Sequence, residues 1–171
     1  MNRVTLSIAC ALMAHLLLLS CSGGYSFTGG DVGEAETIKI DYFPNYAELV
    51  KPQLSQTFSE ELRDIFIQRT SLSQSSSSAD MEISGSIIRY VITPVSAEAS
   101  DVGSVSKNRL KIEVNVIFTN NLDPDKSYEK RFSAFEDFSA NTNLSQVEDE
   151  LHSQISVRLS ENILNQAIGD W

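Results

Sequence analysis

Two cysteines and two histidines in 171 residues leave little material for a Cys/His metal centre, a disulfide framework or a thiol enzyme. Positive charge is also scarce, with 13 Lys and Arg against 23 Asp and Glu and a net charge of −10. Wrapping a nucleic-acid duplex requires a basic surface, so nucleic acid is not expected as a partner and any polyanion must be met locally. The sequence has no Walker-type loop, no G-x-G-x-x-G and no G-x-S-x-G elbow. What is present is ordinary globular composition, 42% hydrophobic and 21% charged, at single-domain length.

The N-terminus carries the first positive signal. Arg3 precedes an apolar run from Val4 to Leu19, broken only by Thr5, Ser7 and His15. That run is shorter than the roughly 20 apolar residues a transmembrane helix needs, and it reads as a signal peptide over 1–20. It ends in Leu18-Leu19-Ser20-Cys21, which resembles a bacterial lipobox and makes Cys21 the acylated first residue of the mature protein. Removal of residues 1–20 leaves 151 residues, takes away Arg3 and Cys10, and moves the net charge from −10 to −11. No disulfide is then possible, and the covalent lipid on Cys21 is the only non-protein group expected. Several acyl chains, at about 0.8 kcal/mol per buried CH₂, suffice for stable attachment. Residues 21–35 read as a lipidated tether, and Ser22 after the cysteine, rather than Asp, favours the outer membrane on its periplasmic side.

Behind the tether, residues 36–171 read as one domain. Ile38, Ile40 and Tyr42 alternate with polar residues, giving a strand over 36–43 that ends at Pro44. Pro52 suits the first turn of a helix, and Leu54, Phe58, Leu62, Ile65 and Phe66 form an apolar stripe reaching Arg69. Aromatic residues at this spacing are core rather than a cofactor box. Six serines between Ser71 and Ser78 predict a surface loop. Met81, Ile83, Gly85 and Ile87 share one phase and Ile88, Tyr90 and Ile92 the other, which predicts a strand with a β-bulge, ending at Pro94. After a loop over 95–106, Leu110 to Phe118 alternate cleanly. Turn residues from Asn120 to Asp125 then join this strand to one carrying Tyr128, Phe132 and Ala134.

Ser145-Gln146-Val147-Glu148 matches a capping box and opens a helix to about Ile168. Its apolar residues Val147, Leu151, Ile155, Leu159, Ile163 and Ala167 recur every four positions, so the stripe rotates some 200° along the helix. Such a stripe means either an oblique crossing of the sheet or a second buried face, against Trp171 or a partner. The order β-α-β-β-β-α predicts an α+β fold: a two-layer α/β sandwich with a four-stranded mixed sheet and both helices on one face. The first two strands should be parallel and the last two should form an antiparallel hairpin.

Candidate chemistry is thin. His152 is the one histidine of the mature chain and reads as a solvent-facing helical residue. Glu60-Glu61 and Glu148-Asp149-Glu150 fall in early helical turns, where negative charge complements the helix dipole. No catalytic residues and no metal ligands are assigned, and an enzyme is not expected. Positive charge clusters once: Lys107, Arg109 and Lys111 alternate along one strand, so all three project from one face, and Arg89 lies nearby. The tether enters at the opposite end of the sheet, which makes this cluster the tip farthest from the anchor.

The lipobox cysteine, Gly24-Tyr25-Ser26-Phe27-Thr28-Gly29 and the order of elements together resemble the LPS-assembly lipoprotein family LptE, especially its Bacteroidetes branch. The segments that carry the resemblance are Tyr42-Phe43-Pro44-Asn45, Pro52 to Phe58, Asn108 to Asn120, Asp123-Pro124 and Val147 to Leu151. It covers essentially the whole mature chain. It implies a two-layer sandwich that plugs the outer-membrane barrel LptD, helps it assemble and helps it pass lipopolysaccharide to the cell surface, by binding rather than bond-making. Lys107, Arg109, Lys111 and Arg89 are then the candidates for contact with lipopolysaccharide, although a body at −11 is an unusual receptor for a phosphorylated glycolipid. Two other readings stay open: a lipoprotein auxiliary subunit of a periplasmic transporter, and a ligand-binding surface lipoprotein.

Overall fold

The computed structural model describes residues 32–95 and 106–169. The signal peptide, Cys21, most of the tether, residues 96–105 of the long loop, and Trp171 lie outside the described residues. The elements are β1 (Thr37–Ile40), α1 (Pro52–Arg69), β2 (Ser73–Gln74), β3 (Met81–Val95), β4 (Lys107–Asn120), a 3-10 turn (Pro124–Lys126), β5 (Tyr128–Ser139) and α2 (Leu144–Ile168). The fold is α+β, and the strands form one mixed sheet in the order β2-β1-β3-β4-β5. β1 pairs in parallel with β3, while β3–β4 and β4–β5 are antiparallel.

The sheet has five strands rather than the four expected. The addition is β2, two residues inside the serine run, which pairs in parallel with β1. Ser73 N–H donates to Glu36 C=O and Ser75 N–H to Ile38 C=O, both at 2.8 Å. This strand is made by backbone hydrogen bonds alone, and both of its side chains are exposed. β1 is shorter than expected because the chain turns after Ile40: Phe43 is fully buried whereas Tyr42 is 54% exposed. β3 runs on through Pro94 to Val95, where Pro94 stands opposite Asn108.

The predicted bulge lies between Ile87 and Arg89, with Ile88 as the extra residue. Before it Met81, Ile83 and Ile87 are buried, and after it Tyr90 is. At Gly85 the backbone adopts φ +156°, and Phe43 from the β1–α1 segment packs so close that a Cβ would lie 2.6 Å from its ring. Phe43 in turn meets Phe58 of α1 edge-on, ring centres 5.1 Å apart.

α1 starts at Pro52 and buries Leu54, Phe58, Leu62, Ile65 and Phe66, as its stripe predicts. α2 is capped two residues earlier than the capping box suggests: Asn143, not Ser145, is the N-cap, its side chain accepting from Ser145 N–H. It buries two adjacent columns: Leu151, Ile155, Leu159 and Ile163, and beside them His152, Ser156, Ser160 and Leu164. The rotating stripe is thereby explained, because α2 packs against α1 along one side and against β5 along the other. Arg69 of α1 pairs with Glu161 at 2.6 Å, and Arg158 pairs with Glu136 of β5 at 2.6 Å. Lys130 of β5 reaches Gln166 on the same helix. Val32 and Ala35 pack against the core at the end of the sheet that holds Asn120 and Lys126, opposite to Lys107.

Candidate functional site

The four predicted cations do share one surface. Leu110 and Ile112 of β4 are fully buried beneath the helices, so Lys107, Arg109 and Lys111 point from the other face. Cross-strand register sets Arg89 opposite Glu113, Val91 opposite Lys111, and Thr93 opposite Arg109. From β5, Phe135 stands opposite Lys111 and Asp137 opposite Arg109. Arg109 grips Asp137 with two hydrogen bonds of 2.7 and 2.9 Å, and its guanidinium lies 3.7 Å from the centre of the Phe135 ring. Lys111 pairs with Glu113 at 2.7 Å, and Arg89 reaches the same carboxylate at 3.4 Å.

Hydrogen bonding from Arg109 holds the Asp137 carboxyl below its usual range, and that from Lys111 does the same for Glu113. Four cations thus face two carboxylates that stay ionised, leaving a locally positive strip with Val91 and Phe135 partly exposed within it. This is a planar, cation-bearing surface with apolar footholds. It suits an anionic amphiphile better than a small polar ligand, because arginine and lysine match phosphate oxygens and exposed charges act over about 8 Å at physiological salt.

A second cluster sits at the same end but on the helix side. His152, expected on the solvent face, is 3% exposed. The prediction fails because polar residues form the second buried column of α2, and hydropathy counts such residues as outward-facing. His152 Nε2 lies 3.3 Å from the Tyr90 hydroxyl, which donates to Glu148 Oε1 at 2.7 Å. Lys51, just before α1, pairs with the same oxygen at 2.8 Å. Glu148 therefore does more than complement the helix dipole: it ties together β3, the start of α1 and the start of α2.

Burial pushes the Glu148 carboxyl up, but hydrogen bonds from Lys51 and Tyr90 outweigh it, and the group titrates below the usual carboxylate range. Burial and the Glu148 neighbour push the Tyr90 hydroxyl well above its ordinary value. Burial pulls His152 below its own. Lys51 has no sequence signal, since its role depends on where α2 lands.

Between β1 and α1 the chain exposes Tyr42, Tyr46, Leu49 and Val50, with Tyr46 at 74%. The segment is held from beneath: Ile87 N–H donates to Pro44 C=O and Tyr46 N–H to Ile87 C=O, each at 2.9 Å. Among the described residues, no three His, Cys, Asp or Glu side chains gather as a metal site, and no helix is long and apolar enough to cross a membrane.

The family model for LptE, lipopolysaccharide-assembly, matches residues 35–167, which include the five described strands, α1 and all of α2 but Ile168. No curated protein sequence matches the chain. Among solved structures, a hypothetical protein from Chlamydia trachomatis is 10% identical at a TM-score of 0.50, over 80% of this chain and 99% of that one. Lipoprotein B from Nitrosomonas europaea is 16% identical at 0.46, over 78% and 83%. Rare lipoprotein B from Shewanella oneidensis is 14% identical at 0.42, over 74% and 91%. At such identities the likeness speaks to the fold alone.

Proposed function

The chain belongs to the LptE lipopolysaccharide-assembly family, and from that membership we propose that it is an outer-membrane lipoprotein, anchored through Cys21, that seats within an LptD-like β-barrel and assists lipopolysaccharide transport. The observation that carries the reading is the family match, which runs through the whole folded body from residue 35 to residue 167. Two features of the body support it. The helices cover one sheet face only, so the other face is free to meet a partner or a lipid. Within the positive strip Val91 and Phe135 are exposed, so cations and apolar side chains lie side by side, which is the pairing a phosphorylated amphiphile requires. On this reading Arg89, Lys107, Arg109 and Lys111 touch the anionic headgroup, and the work done is binding, with no bond made or broken.

The test is gentle detergent extraction through a C-terminal tag at native expression, followed by mass spectrometry. A large outer-membrane barrel at near-equal stoichiometry is expected. Recovery of monomer alone would remove the plug reading, and recovery of an inner-membrane transporter would replace it.

A further inference from the structure

The two ring nitrogens of His152 sit in different company. The Tyr90 hydroxyl proton is committed to Glu148 at 2.7 Å. The Tyr90 oxygen can therefore only accept from the ring, which places the hydrogen of the neutral imidazole on Nε2. Nδ1 is left as a bare acceptor, and among the described residues it has no hydrogen-bond partner. A second proton must land on Nδ1, deep in the packing, where no acceptor meets it. The charges that face the ring are Glu148, 4.0 Å from Nε2, and Asp149 on its own helix, with Lys51 from the start of α1 opposing them; β3 contributes the neutral Tyr90. Burial outweighs the two carboxylates.

We propose that His152 is the proton-sensitive pin of a clasp that fastens the 41–51 segment and the first turns of α2 onto the distal end of β3. The clasp joins three separate parts of the chain through Lys51, Tyr90 and Glu148. One of those parts is the segment that exposes Tyr42, Tyr46, Leu49 and Val50. Protonation places a charge where the closed clasp cannot solvate it, and opening relieves that cost. The sign follows from linkage. His152 titrates lower in the closed form than in an opened or unfolded chain, so the closed form is fully favoured above about pH 6.5 and loses ground as the pH falls below that value, down to the closed-form pKa. A single proton limits the change to about tenfold per pH unit.

The test uses the full-length chain in detergent and hydrogen exchange at pH 7.5 and 5.5, corrected for intrinsic chemistry. Peptides covering 41–51 and 144–152 should open more at pH 5.5, by at most about tenfold, while the central strand at 110–118 should not change. His152→Gln keeps a donor toward Tyr90 and cannot take the proton, so its distal peptides should hold the same protection at both pH values. An equal pH response in wild type and variant overturns the proposal, as does a response spread evenly into 110–118. Should the variant not fold, the His152 ring titration in the wild-type protein decides: a midpoint at or above 6.5 overturns the clasp, and one below it supports it. None of these readouts depends on a barrel partner or on lipopolysaccharide.

Discussion

Adding one methyl group at Gly85 should do more damage than most truncations in the core. An ideal Cβ there would lie 2.0 Å from the Asn115 carbonyl oxygen and 2.6 Å from Phe43 Cε1. The first obstacle is backbone of β4, which cannot rotate away, and the second is a fully buried ring already packed on Phe58. The backbone conformation at φ +156° costs alanine about 1–3 kcal/mol, and forcing an extra carbon into a filled core costs typically another 1–3. Gly85→Ala is thus expected to lose about 4 kcal/mol, a large share of the 5–15 kcal/mol typical of a whole domain. For a domain of this size that corresponds to a fall of roughly 10 °C in Tm. Urea titration of the full-length chain followed by circular dichroism would read it as a lower midpoint at an unchanged slope. Combining it with Phe43→Leu should cost less than the sum of the two single changes, because the leucine vacates part of the contested space. A Gly85→Ala variant within about 0.5 kcal/mol of wild type would refute the reasoning, since surface-like tolerance is incompatible with both contacts.

Three further outcomes are expected. Replacing Lys107 and Lys111 with Glu and Arg109 with Gln, in a chain that still folds and keeps its barrel partner, should lower lipopolysaccharide crosslinking severalfold; crosslinking at the wild-type level would reject the strip as a lipid contact. Asp80 accepts from Thr37 Oγ1 at 2.8 Å and from the Glu36 and Thr37 amides at 3.0 Å, and these bonds hold its carboxyl below the usual value. Its contribution should be present above about pH 4 and vanish as the pH falls through the lowered folded-state pKa, so the stability gap between wild type and Asp80→Asn should close in acid; an equal gap at pH 7 and pH 3 would contradict this. Cys21→Ala should abolish palmitate labelling and detergent partitioning, and unchanged labelling would end the lipid-anchor reading.

The elements whose signal is a side-chain pattern were legible from the sequence. The α1 stripe, the clean alternation of β4 and the phase change at Ile87–Arg89 each map onto a buried face. Elements and contacts made by backbone or by tertiary placement were not. β2 exists because Ser73 and Ser75 find carbonyls on β1, and no side-chain periodicity can report that. His152, Ser156 and Ser160 are buried because α2 is enclosed on two sides, whereas a single apolar stripe implies enclosure on one. The same division holds for the candidate site. Strand alternation was enough to put Lys107, Arg109 and Lys111 on one face. That Asp137 would take up Arg109 required the β4–β5 register, which turn chemistry alone does not set.

The sheet ends on the two strands least able to recruit another. β2 offers only two residues to a neighbour, too few to nucleate a ladder. β5 is twelve residues long, but its helix-side row includes Lys130 and Glu136, tethered to Gln166 and Arg158 of α2. A foreign strand added along β5 would have to seat its own row against those charges and displace their helix partners. Edge-to-edge growth into fibres or aggregates is thereby discouraged at both margins. For a body proposed to seat within a β-barrel, such closed margins would let it meet the barrel's strands without being zipped into them.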